Sequence, residues 1–170
     1  MNFEAHRVPS SDHSLQYEVG KLYLEKNPNV DHNHIFYIIK WRVQSWLMFL
    51  LKKEDVPVWT MRVQRWDMFD PSIWDISSEK IIWIKEITLW GDLDIDEYPD
   101  AFEKLLIACI DSSKALSFSG VDWHVNRELY ETIDRDLWPI LFEKIGFQKM
   151  NFGWASLTYW SIIFDNKRLW

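Results

Sequence analysis

Ile81-Ile82-Trp83-Ile84-Lys85-Glu86-Ile87-Thr88-Leu89-Trp90 is the stretch whose reading decides the fold. β-Branched and aromatic residues occupy both of its alternating faces, the pattern of a strand with neighbours on each side and cover above and below. From Glu97 to Ser113, the apolar residues Tyr98, Phe102, Leu105, Leu106, Cys109 and Ile110 then recur at three- and four-residue spacing. That period predicts an amphipathic helix, with Pro99 near its start, where a missing N–H is tolerated. A central strand therefore feeds a helix through the link Gly91–Asp100, which holds Asp92, Asp94, Asp96, Glu97 and Asp100 and no Lys or Arg.

Working outward, Ser11–Lys26 predicts a helix with apolar Leu15, Val19, Leu22 and Leu24, stopped by Asn27-Pro28-Asn29. Three β-rich runs follow at His34–Trp41, Trp46–Leu51 and Val56–Trp66, the last two reading as a hairpin around Lys52-Lys53-Glu54-Asp55. A loop with Pro71 and Ser77-Ser78 leads into the central strand. Beyond the helix, Ala115–His124 predicts a short strand, and Arg127–Ile145 one or two helical segments broken near Pro139. Gly146 is a helix stop, and Phe147–Asn151 and Thr158–Phe164 read as closing strands. With no repeat, low-complexity tract or linker, residues 1–170 are expected to form one α+β domain.

Composition narrows the partners. A hydrophobic share of 48% with 26% charged residues belongs to a folded chain rather than a disordered one. The net charge of −7 argues against duplex nucleic acid, which needs clustered Lys and Arg. Cys109 stands in an apolar run and has no second cysteine to bridge, which points to a reducing, cytoplasmic setting. The N-terminus lacks the apolar core of a secretory signal, and Trp46–Leu51 is far too short to span a membrane. Twelve tryptophans predict a Trp-heavy core with a few rings lining a cleft.

Leu141-Phe142-Glu143-Lys144-Ile145-Gly146-Phe147-Gln148-Lys149-Met150, followed by Tyr159-Trp160-Ser161-Ile162-Ile163, resembles the last helix, Gly-Phe turn and terminal strand of the Gcn5-related N-acetyltransferases. The resemblance implies a mixed, mostly antiparallel central sheet flanked by helices. It also implies acetyl-CoA or another acyl-CoA as donor, an amine as acceptor, and a splayed central strand whose backbone grips the pantetheine arm. The family's turn after that strand carries a basic residue and Gly-x-Gly; the acidic link here does not. A weaker likeness, over Leu47–Trp59 and Trp74–Asp92, is to the toxin-activating lysine acyltransferases, which take acyl groups from acyl carrier protein. Their early catalytic His falls on His13 within Val8-Pro9-Ser10-Ser11-Asp12-His13, and their catalytic Asp falls on or beside Lys85.

Acyl transfer needs a base for the ammonium, a donor to the thioester carbonyl and an acid for the thiolate. Glu86 shares a strand face with Ile82, Ile84, Thr88 and Trp90, where burial would raise its pKa, and is the candidate base. The backbone of Ile87, Thr88 and Leu89 would hold the donor arm, with Gly91, Asp100 and Ala101 at the mouth. The resemblance puts the usual acid, a Tyr on the last helix, at Phe142, so Tyr159 or Tyr130 would have to substitute. His124, beside Asp122 and Asn126, is a further candidate. Asp92, Asp94, Asp96, Asp100 and Glu103 match a calcium-loop spacing, but Glu97 stands where that loop needs glycine, and no metal is expected. The rival reading is an inactive module on the same fold, holding a peptide or partner in a Trp-rich cleft.

Overall fold

Aspartates start two helices near the N-terminus. The Asp12 carboxylate accepts the Leu15 N–H at 3.0 Å and opens α1 (His13–Lys26). Asp31 does the same for α2 (His32–Ser45), its Oδ1 taking the Asn33 N–H at 2.9 Å and its carbonyl the Ile35 N–H at 3.1 Å. Such side-chain acceptors satisfy N–H groups that a first helical turn leaves without partners. The structure is a computed structural model and describes residues 2–45, 47–70, 75–89, 93–118, 120–123, 137–151 and 158–164.

α2 corrects the strand expected at His34–Trp41. Its β-branched and aromatic residues suggested a strand, but Ile35, Ile39 and Val43 recur every four residues, and Ile39 and Val43 are buried. The burial of that stripe overrides local propensity.

The remaining elements are β1 (Phe3–Arg7), β2 (Leu47–Lys53), β3 (Val56–Asp70), β4 (Asp75–Leu89), α3 (Tyr98–Ala115), β5 (Gly120–Trp123), α4 (Leu137–Ile145), β6 (Gln148–Asn151) and β7 (Thr158–Ile163). A 3-10 turn, Ile95–Glu97, precedes α3. The strands hydrogen-bond in the order β1-β2-β3-β4-β5-β7-β6. The pairs β1–β2, β2–β3, β5–β7 and β6–β7 are antiparallel, and β4–β5 is parallel. The expected mixed, mostly antiparallel sheet flanked by helices is present. Strand β1 was not anticipated, Ser77-Ser78 lie within β4 rather than in a loop, and Pro139 sits in the first turn of α4, where it breaks nothing.

Two compact units divide the chain, one of Met1–Val63 with Glu86–Cys109 and the other of Gln64–Lys85 with Ile110–Trp170. In the first, β2 is buried on both faces. Met48 and Leu50 join Val19 and Leu22 of α1 and Ile39 and Val43 of α2 in one cluster. Gly20 lets these helices approach, because a Cβ there would lie 2.4 Å from a Phe36 ring carbon. On the opposite face the register places Phe49 beside Met61 and Leu51 beside Trp59, all four fully enclosed. The Trp59 ring stands 4.7 Å from Phe102 and 5.0 Å from Tyr98 of α3, centroid to centroid.

The second unit is organised by an aromatic stack and two helix ends. Phe142 of α4 has no exposed surface and lies between Trp160, stacked at 4.9 Å, and Phe147, edge-on at 5.5 Å. The Phe147 N–H reaches back to the Phe142 carbonyl at 2.9 Å and the Gly146 N–H to Glu143 at 3.1 Å, with Gly146 at φ +107°. This is a Schellman ending, with its apolar contact made by Phe147 on Phe142. α3 ends the same way: Phe118 N–H bonds to Ser113 O at 2.9 Å and Ser117 N–H to Lys114 O at 3.0 Å, but the left-handed position is Ser117, at φ 60°. Ala115 therefore ends a helix, correcting its expected place at the start of a strand.

Candidate functional site

β4 is longer than its pairing with β5. Among the described residues the parallel register runs from Ile81↔Gly120 to Ile84↔Trp123, and β4 continues through Lys85, Glu86, Ile87, Thr88 and Leu89. Each residue of an extended strand carries an N–H and a C=O directed sideways, so a strand that outlasts its neighbour offers backbone hydrogen bonds to a peptide-like chain. The chain resumes at Leu93 and enters α3 within a few residues.

That entry is held by one buried carboxylate. Both oxygens of Glu97 lie 2.9 Å from Nζ of Lys53 at the end of β2, and Oε2 also accepts the Asp94 N–H at 3.3 Å. Glu97 is buried while Asp94, Asp96 and Asp100 are exposed. The Lys53 hydrogen bond holds the Glu97 carboxyl below its ordinary pKa, against a desolvation that acts the other way. The ammonium nearest this turn is thus already neutralised by the chain itself, and the exposed surface of the turn is negative. Sequence spacing had marked Glu97 only as the misfit in a calcium-like loop; its partner lies 44 residues away, beyond any local pattern. Among the described residues no group of three His, Cys, Asp or Glu side chains could hold a metal ion.

Chain continuity brings Glu86, Ile87, Thr88 and Leu89 into the distal part of β4, and Asp100 and Ala101 into the first turn of α3. Asp100 is exposed, whereas the Ala101 side chain is core. The side chains of β4 lie outside the described set, as do Gly91, His124 and Tyr130. His13 is the first residue of α1 and exposed. Tyr159 pairs with Met150 in β7, on a different element from Glu86, and its side chain is likewise outside the described set. His32 and His34 lie on α2 rather than on a strand; at i, i+2 on a helix they still diverge. Phe142, the position aligned with the family's acid, is a core residue with no hydroxyl. Among the described residues no helix is long and apolar enough to cross a membrane.

No family model and no curated protein matches this sequence. Solved structures do. An aminoglycoside acetyltransferase from an uncultured soil metagenomic sample, crystallised with trehalose, is 12% identical, covers 90% of this chain and 95% of its own, and gives a TM-score of 0.57. An aminoglycoside N-acetyltransferase in complex with CoA is 9% identical over 98% and 95%, at 0.59. A ribosomal-protein-alanine N-acetyltransferase from Brucella melitensis biovar Abortus is 12% identical over 91% and 96%, at 0.55. Identities this low speak for the fold and not for a shared substrate.

Proposed function

This chain has the Gcn5-related N-acetyltransferase fold, and from that premise we propose an N-acyltransferase that moves an acyl group from a thioester donor to an amine. The observation that carries the reading is β4 outlasting its pairs with β5: Ile87–Leu89 supply the backbone that would grip the donor's amide arm, as an added strand is gripped. In the reaction the amine nitrogen attacks the thioester carbonyl carbon, the C–S bond breaks, and the thiolate takes up a proton. Glu86 receives the proton of the ammonium, directly or through water, and residues 91–101 form the mouth. Tyr159, His13 and His124 are the remaining candidates for proton transfer. The negative surface of Asp94, Asp96 and Asp100 opposes the diphosphate of an acyl-CoA, so acyl carrier protein stays a donor to test beside it. The donor screen, by thermal shift and turnover, uses acetyl-CoA, longer acyl-CoAs and acyl carrier protein. Glu86→Gln lowers kcat by roughly 10²- to 10⁴-fold while donor affinity holds. If no donor shifts the melting temperature even near its solubility limit, the proposal fails.

A second reading, a non-catalytic module holding a peptide or partner in a Trp-rich cleft, is favoured by two observations. The turn presents acids where an anion would bind, and Phe142 puts a phenyl ring where a phenol would serve. A donor that binds but is never turned over supports it.

A further inference from the structure

We propose that the first unit contains a binding site for a small organic amine, built between α1 and the β2–β3 hairpin. A cavity of about 410 Å³ opens there, within the range of small-molecule sites. Its floor is hydrocarbon: Leu22 and Val58 are 3% and 5% exposed, and Pro57 lies beside them. None of its lining belongs to β4, the acidic turn or α3.

The charges around the cavity decide what fits. Glu18 is paired with Lys52 at 2.9 Å, and Lys53 is committed to Glu97. Lys21 lies over the Tyr17 ring, 5.0 Å from its centroid. Glu25 has no ion-pair partner within 4.0 Å. Glu54 accepts the Asn2 N–H through Oε1 at 2.9 Å, leaving its other oxygen available. Its position is fixed, because Glu54 and Asp55 turn the hairpin at φ 49° and 66°, and the Glu54 N–H is tied to the Asn2 carbonyl at 3.1 Å. After internal pairing, two carboxylates face one ammonium over an apolar floor. An ammonium group on a hydrocarbon body satisfies both: its N–H groups donate to Glu54 and Glu25, and its chain covers Leu22 and Val58.

The site does not depend on acyl transfer, and its test contains no donor. Isotope-labelled full-length protein is titrated at neutral pH and low salt with hexylamine, hexanol and hexanoate, following the backbone amides of Leu22 and Val58. Saturable shifts are expected with hexylamine, weaker binding with hexanol and none with hexanoate. Glu25→Gln with Glu54→Gln should weaken hexylamine binding about tenfold, the loss of one charge-assisted contact. Should the double variant misfold, Glu25→Gln alone, on the exposed side of α1, gives the same readout. Hexanoate or hexanol binding as tightly as hexylamine, a variant that binds it unchanged, or no saturable shift with the amine overturns the proposal.

Discussion

The two Schellman endings make a reciprocal experiment. Both close with the same pair of backbone bonds, yet Gly146 fills the left-handed position after α4 and Ser117 fills it after α3. Both residues are exposed, and a Cβ on Gly146 would meet Ile162 Cδ1 at an ordinary 3.5 Å, so packing does not obscure the backbone effect. For an L-residue the left-handed region costs roughly 1–2 kcal/mol, and Gly gives back some of that through its larger freedom when unfolded. Gly146→Ala should therefore destabilise by about 1 kcal/mol, and Ser117→Gly should stabilise by roughly 0.5–1 kcal/mol. At this chain length 1 kcal/mol moves the melting temperature by roughly 2–4 °C. It moves a urea midpoint by roughly 0.3–1 M, with the slope unchanged. Gly146→Asn should fall between Gly and Ala, since Asn enters this region more readily. If Ser117→Gly lowers stability, or Gly146→Ala leaves it untouched, the assignment of these endings is wrong.

Other consequences are as direct. Phe142→Ala empties the space between Phe147 and Trp160 and should cost about 3–5 kcal/mol, read as a loss of cooperative unfolding temperature. Glu97, with its folded pKa depressed below the ordinary 4.5, contributes stability that is complete above that value and disappears as pH falls through the folded pKa. Lys53→Met should flatten that acid-side loss in urea melts taken across a pH series. Changing Asp94, Asp96 and Asp100 to Asn should tighten binding of any diphosphate-bearing donor at low salt and lose that advantage at high salt, measured by calorimetry. Under the proposed function, unchanged turnover by Glu86→Gln would remove Glu86 from the mechanism.

Much of the fold was legible because burial leaves a period. The stripe from Phe102 to Ile110 gave α3, and the charged tip at Glu54-Asp55 gave the β2–β3 hairpin. α2 was missed because its isoleucines and aromatics weigh toward a strand when counted singly; Asp31 as a cap and the four-residue interval of Ile35, Ile39 and Val43 were the overlooked signals. β1 was missed because Glu4, His6 and Arg7 make it polar, and its pairing with Phe49–Lys53 is a long-range fact. The candidate site was legible only along the chain. Glu86 and the acidic turn could be read in order, but the meeting of Lys53 with Glu97 required the hairpin and the helix entry to be brought together in space.

The sheet begins at β1 and ends at β6, and the outer rows of such strands are where a second molecule can attach by extending the ladder. β1 is five residues long and presents Glu4 and Arg7 to solvent; β6 is four residues long and presents Gln148 and Lys149. Short, charged borders of this kind discourage fibre-like stacking, so a chain unusually rich in tryptophan keeps its stickiest material away from the places where aggregation would nucleate.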